Sequence, residues 1–142
     1  MADVVVTVPK RLWQEWLDEG DLPGDEPTGD EYAFYLGGPR PQMRPGDRVY
    51  IVAHGKLRGY SPLTRIMSSA SGFALCREAG AVACTIDEPI QGFRGWRYRW
   101  WRREDERPFP NWREPSAVGT MPPLLPLFSL TPSGGDGAEV GG

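Results

Sequence analysis

The chain has 142 residues, 39% hydrophobic and 25% charged, enough to pack one core of ordinary size and too few for two. Two Cys and one His exclude a disulfide-rich scaffold and a four-ligand Cys/His zinc site, and a hydrolytic triad would have to use His54. The net charge of -3 conceals an uneven distribution, because residues 15–31 hold eight acids and no base whereas residues 94–103 hold five Arg and no acid.

In chain order, the run Val-Val-Val-Thr-Val over 4–8, ended by Pro9, predicts a strand. Residues 10–19 carry Leu12, Trp13, Trp16 and Leu17 at helical spacing and predict a helix, with Pro9 suited to its first turn and Gly20 to its stop. Residues 20–30, acidic and rich in Gly and Pro, read as a polar loop, and 32–36 as a second strand. Arg44-Pro45-Gly46-Asp47 is turn chemistry leading into Arg-Val-Tyr-Ile-Val-Ala-His over 48–54, apolar on both faces and hence a central strand. Gly55 permits a tight turn into 56–60. Residues 72–76 and 81–86 predict two strands in a hairpin-like arrangement around 77–80, where Cys76 and Cys84 can face each other; in an intracellular protein they are expected as reduced, buried thiols. Residues 93–101 predict a further strand, since aromatic residues favour sheets and Gly95 disfavours a helix. Phe109 and Trp112 are expected to fold back and close the barrel, the alternative being a water-facing aromatic groove for a peptide.

Short strands with one early helix and few long connections make a small β-barrel the economical architecture, α+β in class but mainly β. The domain is expected over 1–113, followed by a Pro/Gly-rich tail over 114–142 that is flexible and partly disordered, most of all in its last ten residues. The tail's apolar patch, Met121-Pro-Pro-Leu-Leu-Pro-Leu-Phe-Ser-Leu130, either lies along the domain or docks another chain. No apolar run approaches the ~20 residues of a membrane helix, and Met1-Ala2-Asp3 does not open a signal peptide, so a cytoplasmic location without membrane contact is expected.

The order strand, helix, Pro45-Gly46-Asp47 before Val49-Tyr-Ile-Val52, then Gly55-Lys-Leu-Arg-Gly-Tyr60, resembles the PUA-like superfamily, particularly its ASCH and EVE branches, over roughly residues 4–113. The resemblance implies a β-barrel that binds RNA or DNA, in some branches around a flipped or modified base. A small hydrolytic ASCH branch places a Lys ahead of the central strands, where this chain has its acidic 20–30 loop. Enzyme activity is therefore not implied by the resemblance.

The segment Arg94-Gly-Trp-Arg-Tyr-Arg-Trp-Trp-Arg-Arg103 is the most informative in the chain. As a strand it puts Arg94, Trp96, Tyr98, Trp100 and Arg102 on one face and Arg97, Arg99, Trp101 and Arg103 on the other. Rings stack on bases for ~1 to 3 kcal/mol each and guanidinium groups neutralise phosphates, so the expected partner is single-stranded RNA or DNA, or a flipped-out base. The alternative makes the aromatic face core and the Arg face a solvated surface paired with the acidic loop. Tyr60 is placed to line a pocket, and Asp87 with Glu88 to accept hydrogen bonds from a base's amino edge, unless they cap a turn or pair with Arg94. The candidate binding set is thus Arg94, Trp96, Arg97, Tyr98, Arg99, Trp100, Arg103, Tyr60 and Asp87. No residue pattern calls for a cofactor or a metal. An enzyme acting on a nucleobase or nucleoside would use Glu88 with Lys56 or His54, and a protein-interaction module would use the acidic loop or the tail.

Overall fold

In a computed structural model of the chain, residues 2–19, 22–23 and 29–117 are described. Most of the expected acidic loop over 20–30, and the tail from 118 onward, lie outside the described residues.

The β-branched opening forms strand β1 (Val4–Thr7). Pro9, with φ -64, then leads through one 3-10 turn (Lys10–Leu12) into helix α1 (Trp13–Glu19), so the expected helix is present with a tightened first turn. Strand β2 (Glu31–Leu36) precedes the Pro45-Gly46-Asp47 turn and β3 (Arg48–Ala53). β3 lies parallel to β1, with Val4 opposite Val49 and Thr7 opposite Val52, and both strands are buried on both faces. His54 and Gly55, at φ 48 and 74, make the two-residue turn into β4 (Lys56–Ser69), where Ala53 faces Lys56.

β4 is long and irregular, with register shifts against β3 between Ile51 and Val52 and against β5 (Gly72–Glu78) between Leu63 and Arg65. Its first half pairs with β3 and its second half with β5. The expected hairpin of 72–76 with 81–86 is not formed. Strand β6 (Val82–Thr85) pairs instead with β4, Tyr60 opposite Val82, so β5 and β6 follow one another along the same edge of β4. The reason is a kink rather than a reversal at Gly80 and Ala81, both at positive φ, pinned where the buried Ser61 hydroxyl donates to the Gly80 carbonyl at 2.9 Å. Cys76 and Cys84 are accordingly in line rather than face to face; both are free and buried.

The predicted strand over 93–101 is reduced to β7 (Trp96–Tyr98), antiparallel to β1. It enters from Gly95 at φ 77 and ends where Arg99 turns inward to Asp3 and Trp101 drops into the core. A two-residue strand β8 (Arg107–Pro108) pairs with β6. The sheet order is β2-β5-β4-β3-β1-β7, with β6 and β8 off that path. Among the described residues β2 and β7 end the path without pairing with each other, so the sheet is open and the expected barrel closure is not seen.

Two apolar clusters cover the faces of β1 and β3. On one side Val4, Val6, Val49 and Ile51 meet Trp13 and Trp16 of α1 together with Phe109 and Trp112, which fold back onto the open sheet without closing a barrel. On the other, Val5, Tyr50, Val52 and Leu57 meet Cys84, Ile86, Ile90 and Trp101. Arg58 is fully buried in β4. Its guanidinium donates to the carbonyls of Ala53 (2.8 Å), Trp112 (2.8 Å), Glu114 (2.9 Å) and Pro115 (3.0 Å), tying the segment after Phe109 to the sheet.

Candidate functional site

Because β1 and β3 are parallel, their C-terminal ends open on the same side of the sheet. Three segments surround that end. Pro9 turns the chain into α1, His54-Gly55 turns it into β4, and the loop before β7 arrives with the Phe93 N–H donating to Thr7 Oγ1 at 3.3 Å. A Cβ at Gly92 would stand 3.0 Å from Thr7 Cγ2, so a larger residue there would have to push that methyl aside by a few tenths of an ångström. Between the segments is an open cleft of about 540 Å³. The charged side chains along it are Lys10, Arg11 and Arg94, no acid lines it, and Phe93 supplies an aromatic wall. None of these three cations makes an ion pair among the described residues.

His54 also lines the cleft, held at positive φ by the turn, with its ring edge-on to Trp13 at 4.9 Å. Its Nε2 is buried without a hydrogen-bond partner among the described residues. Burial first, then the charges of Arg58 and Lys10, hold its pKa below the usual 6.5, so near pH 7 the imidazole is neutral and the cleft's charge comes from Lys10, Arg11 and Arg94.

The basic and aromatic segment is divided among several roles. Arg94 belongs to the cleft. Trp96 lies half-buried on the α1 side of the sheet and donates its indole N–H to the Pro39 carbonyl at 3.0 Å. Tyr98 packs edge-on against it at 4.8 Å and accepts the Gln42 N–H at 3.0 Å. Arg97 stacks over Phe93, 4.3 Å from the ring centre, and Trp100, 44% exposed, reaches toward Glu88. Phe93, Arg97 and Trp100 thus form a ledge leading out of the cleft. Arg99 and Arg103 instead converge on the buried Asp3 carboxylate at 3.0 and 2.9 Å. Burial alone would raise Asp3, but the Arg48 N–H and these two guanidinium groups outweigh it and hold the acid below its ordinary value.

Other candidates lie elsewhere. Tyr60 sits under the Arg48 guanidinium (4.0 Å) and against Tyr50, in a cluster where Glu106 accepts from the Tyr50 hydroxyl at 2.5 Å, from Trp101 Nε1 and from Arg48. Asp87 is exposed and pairs with Arg107 at 2.9 Å, not with Arg94. Lys56 donates to the Ile86 carbonyl, and neither it nor Glu88 lines the cleft. Sequence reasoning missed Lys10 and Arg11. Their signal was positional, two cations where a strand end passes into a helix beside a parallel partner, and that parallel pairing is itself a long-range fact.

Comparison of the chain with protein-family models, with curated proteins and with solved structures gives no match. Among the described residues no helix is long and apolar enough to cross a membrane, and no group of three or more His, Cys, Asp or Glu side chains is placed to hold a metal ion.

Proposed function

We propose that this chain is a cytoplasmic, non-catalytic nucleic-acid binding module of PUA-like type, its open sheet standing where that fold has a barrel. The observation that carries the reading is the cleft at the ends of β1 and β3, where Lys10, Arg11 and Arg94 stand beside Phe93 with no acid among the described residues lining it. Three cations without an ion-pair partner among the described residues attract phosphate, and a ring in the same cleft offers a stacking surface, which together suit an RNA or DNA strand with exposed bases. Arg97 and Trp100, packed on Phe93, add a cation and an exposed ring beside that surface.

The test is binding of the full chain to plain and modified single-stranded RNA and DNA oligonucleotides at two salt concentrations. Changing Lys10, Arg11 and Arg94 together to Gln is expected to weaken binding and to lower the salt slope by roughly 0.7 per lost phosphate contact. Undiminished affinity with an unchanged slope in a folded triple variant would remove the cleft from the interface.

A further inference from the structure

Strand β5 alternates between two faces: Phe73 and Leu75 pack into the core with α1, so Ala74 and Cys76 point the other way. On that outer side the pairing register sets Tyr35 of β2 and Met67 of β4 on either side of Ala74, and Ala33 and Arg65 on either side of Cys76. Small residues at the centre and large ones beside them make an open trough of about 460 Å³, floored by Ala74 and Cys76 and walled by Tyr35 and Met67. Toward one end Arg65 reaches back across β5 to Glu31 at 2.8 Å. Tyr35 at 84% and Met67 at 47% are the most exposed large apolar side chains of the described residues. Single exposed apolar residues are ordinary, but two of them facing each other across one trough form a surface shaped to be covered. The trough shares no lining residue with the cleft at the ends of β1 and β3.

We propose that this trough is the docking site of the chain's own segment 121–130, Met-Pro-Pro-Leu-Leu-Pro-Leu-Phe-Ser-Leu, which carries no charge. The described chain ends at Ala117, packed in the core with Trp112 and fastened through the Glu114 and Pro115 carbonyls to Arg58 of β4. Arg58 and Ser69, at the far end of β4, are at most ~36 Å apart along the strand, whereas the chain from Ala117 to Leu130 can span ~43 Å when extended. The segment therefore reaches the trough. Pro122, Pro123 and Pro126 have no N–H to give a sheet edge and fix their own φ, so the segment is suited to lay rings and Leu side chains in a groove rather than to add a strand. Aromatic-walled grooves receive Pro-rich segments in this manner. Because the segment is tethered, it meets the trough at an effective concentration on the order of millimolar, and modest packing against Tyr35 and Met67 is enough to fill it.

The experiment uses the full chain with Ser69→Cys, a near-isosteric change at an exposed position lining the trough that leaves both walls in place. Reaction of the introduced thiol with iodoacetamide is followed by peptide mass spectrometry, which separates it from the buried Cys76 and Cys84. Changing Leu124, Leu125, Leu127 and Phe128 together to Ser in that background is expected to speed the reaction tenfold or more. Tyr35→Ser, which removes a wall at a position largely outside the core, is expected to do the same. Equal rates in all three chains overturn the inference. A rise in only one of the two variants also overturns it, since segment and wall would then not meet. Protection that disappears when the protein is diluted tenfold assigns the trough to a second copy of the chain and overturns it likewise. Protection independent of dilution and lost in both variants is the expected result.

Discussion

The Nη1 of Arg58 donates to the carbonyl of Trp112 at 2.8 Å, joining a wholly buried cation to a chain segment 54 residues away. Among the described residues no carboxylate pairs with it. Backbone carbonyls do so instead, with the rings of Trp13 and Phe109 at 5.3 and 5.1 Å, and burial pushes the guanidinium down to about 10, still charged at neutral pH. Arg58→Ala would open a cavity and leave those carbonyls without donors, so a loss of about 3 to 5 kcal/mol is expected in urea unfolding. Arg58→Lys, with fewer donors in no fixed fork, should fall between wild type and Ala. A loss below ~1 kcal/mol in Arg58→Ala would mean the clamp contributes little.

Asp3 organises the N-terminal strand against the segment after β7, through Arg99 and Arg103. Asp3→Asn should cost about 2 to 4 kcal/mol at pH 7, because two guanidinium groups lose their charged acceptor. The sign with pH follows from the lowered folded value. The contribution is fully present above the unfolded value near 3.8 and is lost as pH falls through the folded one, so the wild-type and Asp3→Asn unfolding curves should converge only in strong acid. Convergence already at pH 6 would contradict this.

Arg99→Gln and Arg103→Gln are expected to separate from the cleft cations in a single assay. Their guanidinium groups are committed to Asp3, so each should lower the melting temperature while leaving the salt slope of oligonucleotide binding nearly unchanged. A slope lowered as much as in the Lys10, Arg11 and Arg94 variant would return both residues to the phosphate contacts.

His54 has a lowered folded pKa, so the unfolded chain binds the extra proton more readily and stability should decline as pH drops from about 6.5 toward the folded value. His54→Asn, which tolerates the left-handed turn conformation, should flatten that decline between pH 7.5 and 5.5 in urea midpoints. An unchanged slope would assign the decline to other groups.

Burial raises both thiols, Cys84 to about 12, so native protein should resist iodoacetamide at pH 8. Unfolding without reductant should then expose two labelling sites, and mass spectrometry reads the count directly. Fewer than two would contradict free thiols.

Local pattern alone determined much of the scaffold. The β-branched run of β1, the Trp13 and Trp16 spacing of α1, the doubly apolar β3 and the tight turn at Gly55 were legible because each writes its own burial into a period of 2 or 3.6 residues. That period carries no record of which element lies opposite. Hence β5 and β6 share one edge of β4 instead of pairing with each other, and Arg58, inside a run read only as a strand, is the most deeply buried charge of the described residues. In sequence Arg94, Arg97, Arg99 and Arg103 all read as candidate binding residues, divided only by strand face. The fold gives Arg99 and Arg103 to Asp3, some 96 and 100 residues distant, and leaves Arg94 beside Lys10 and Arg11. Charge partners are chosen by proximity after the chain has packed, so tertiary structure alone decides which cations remain available to a ligand.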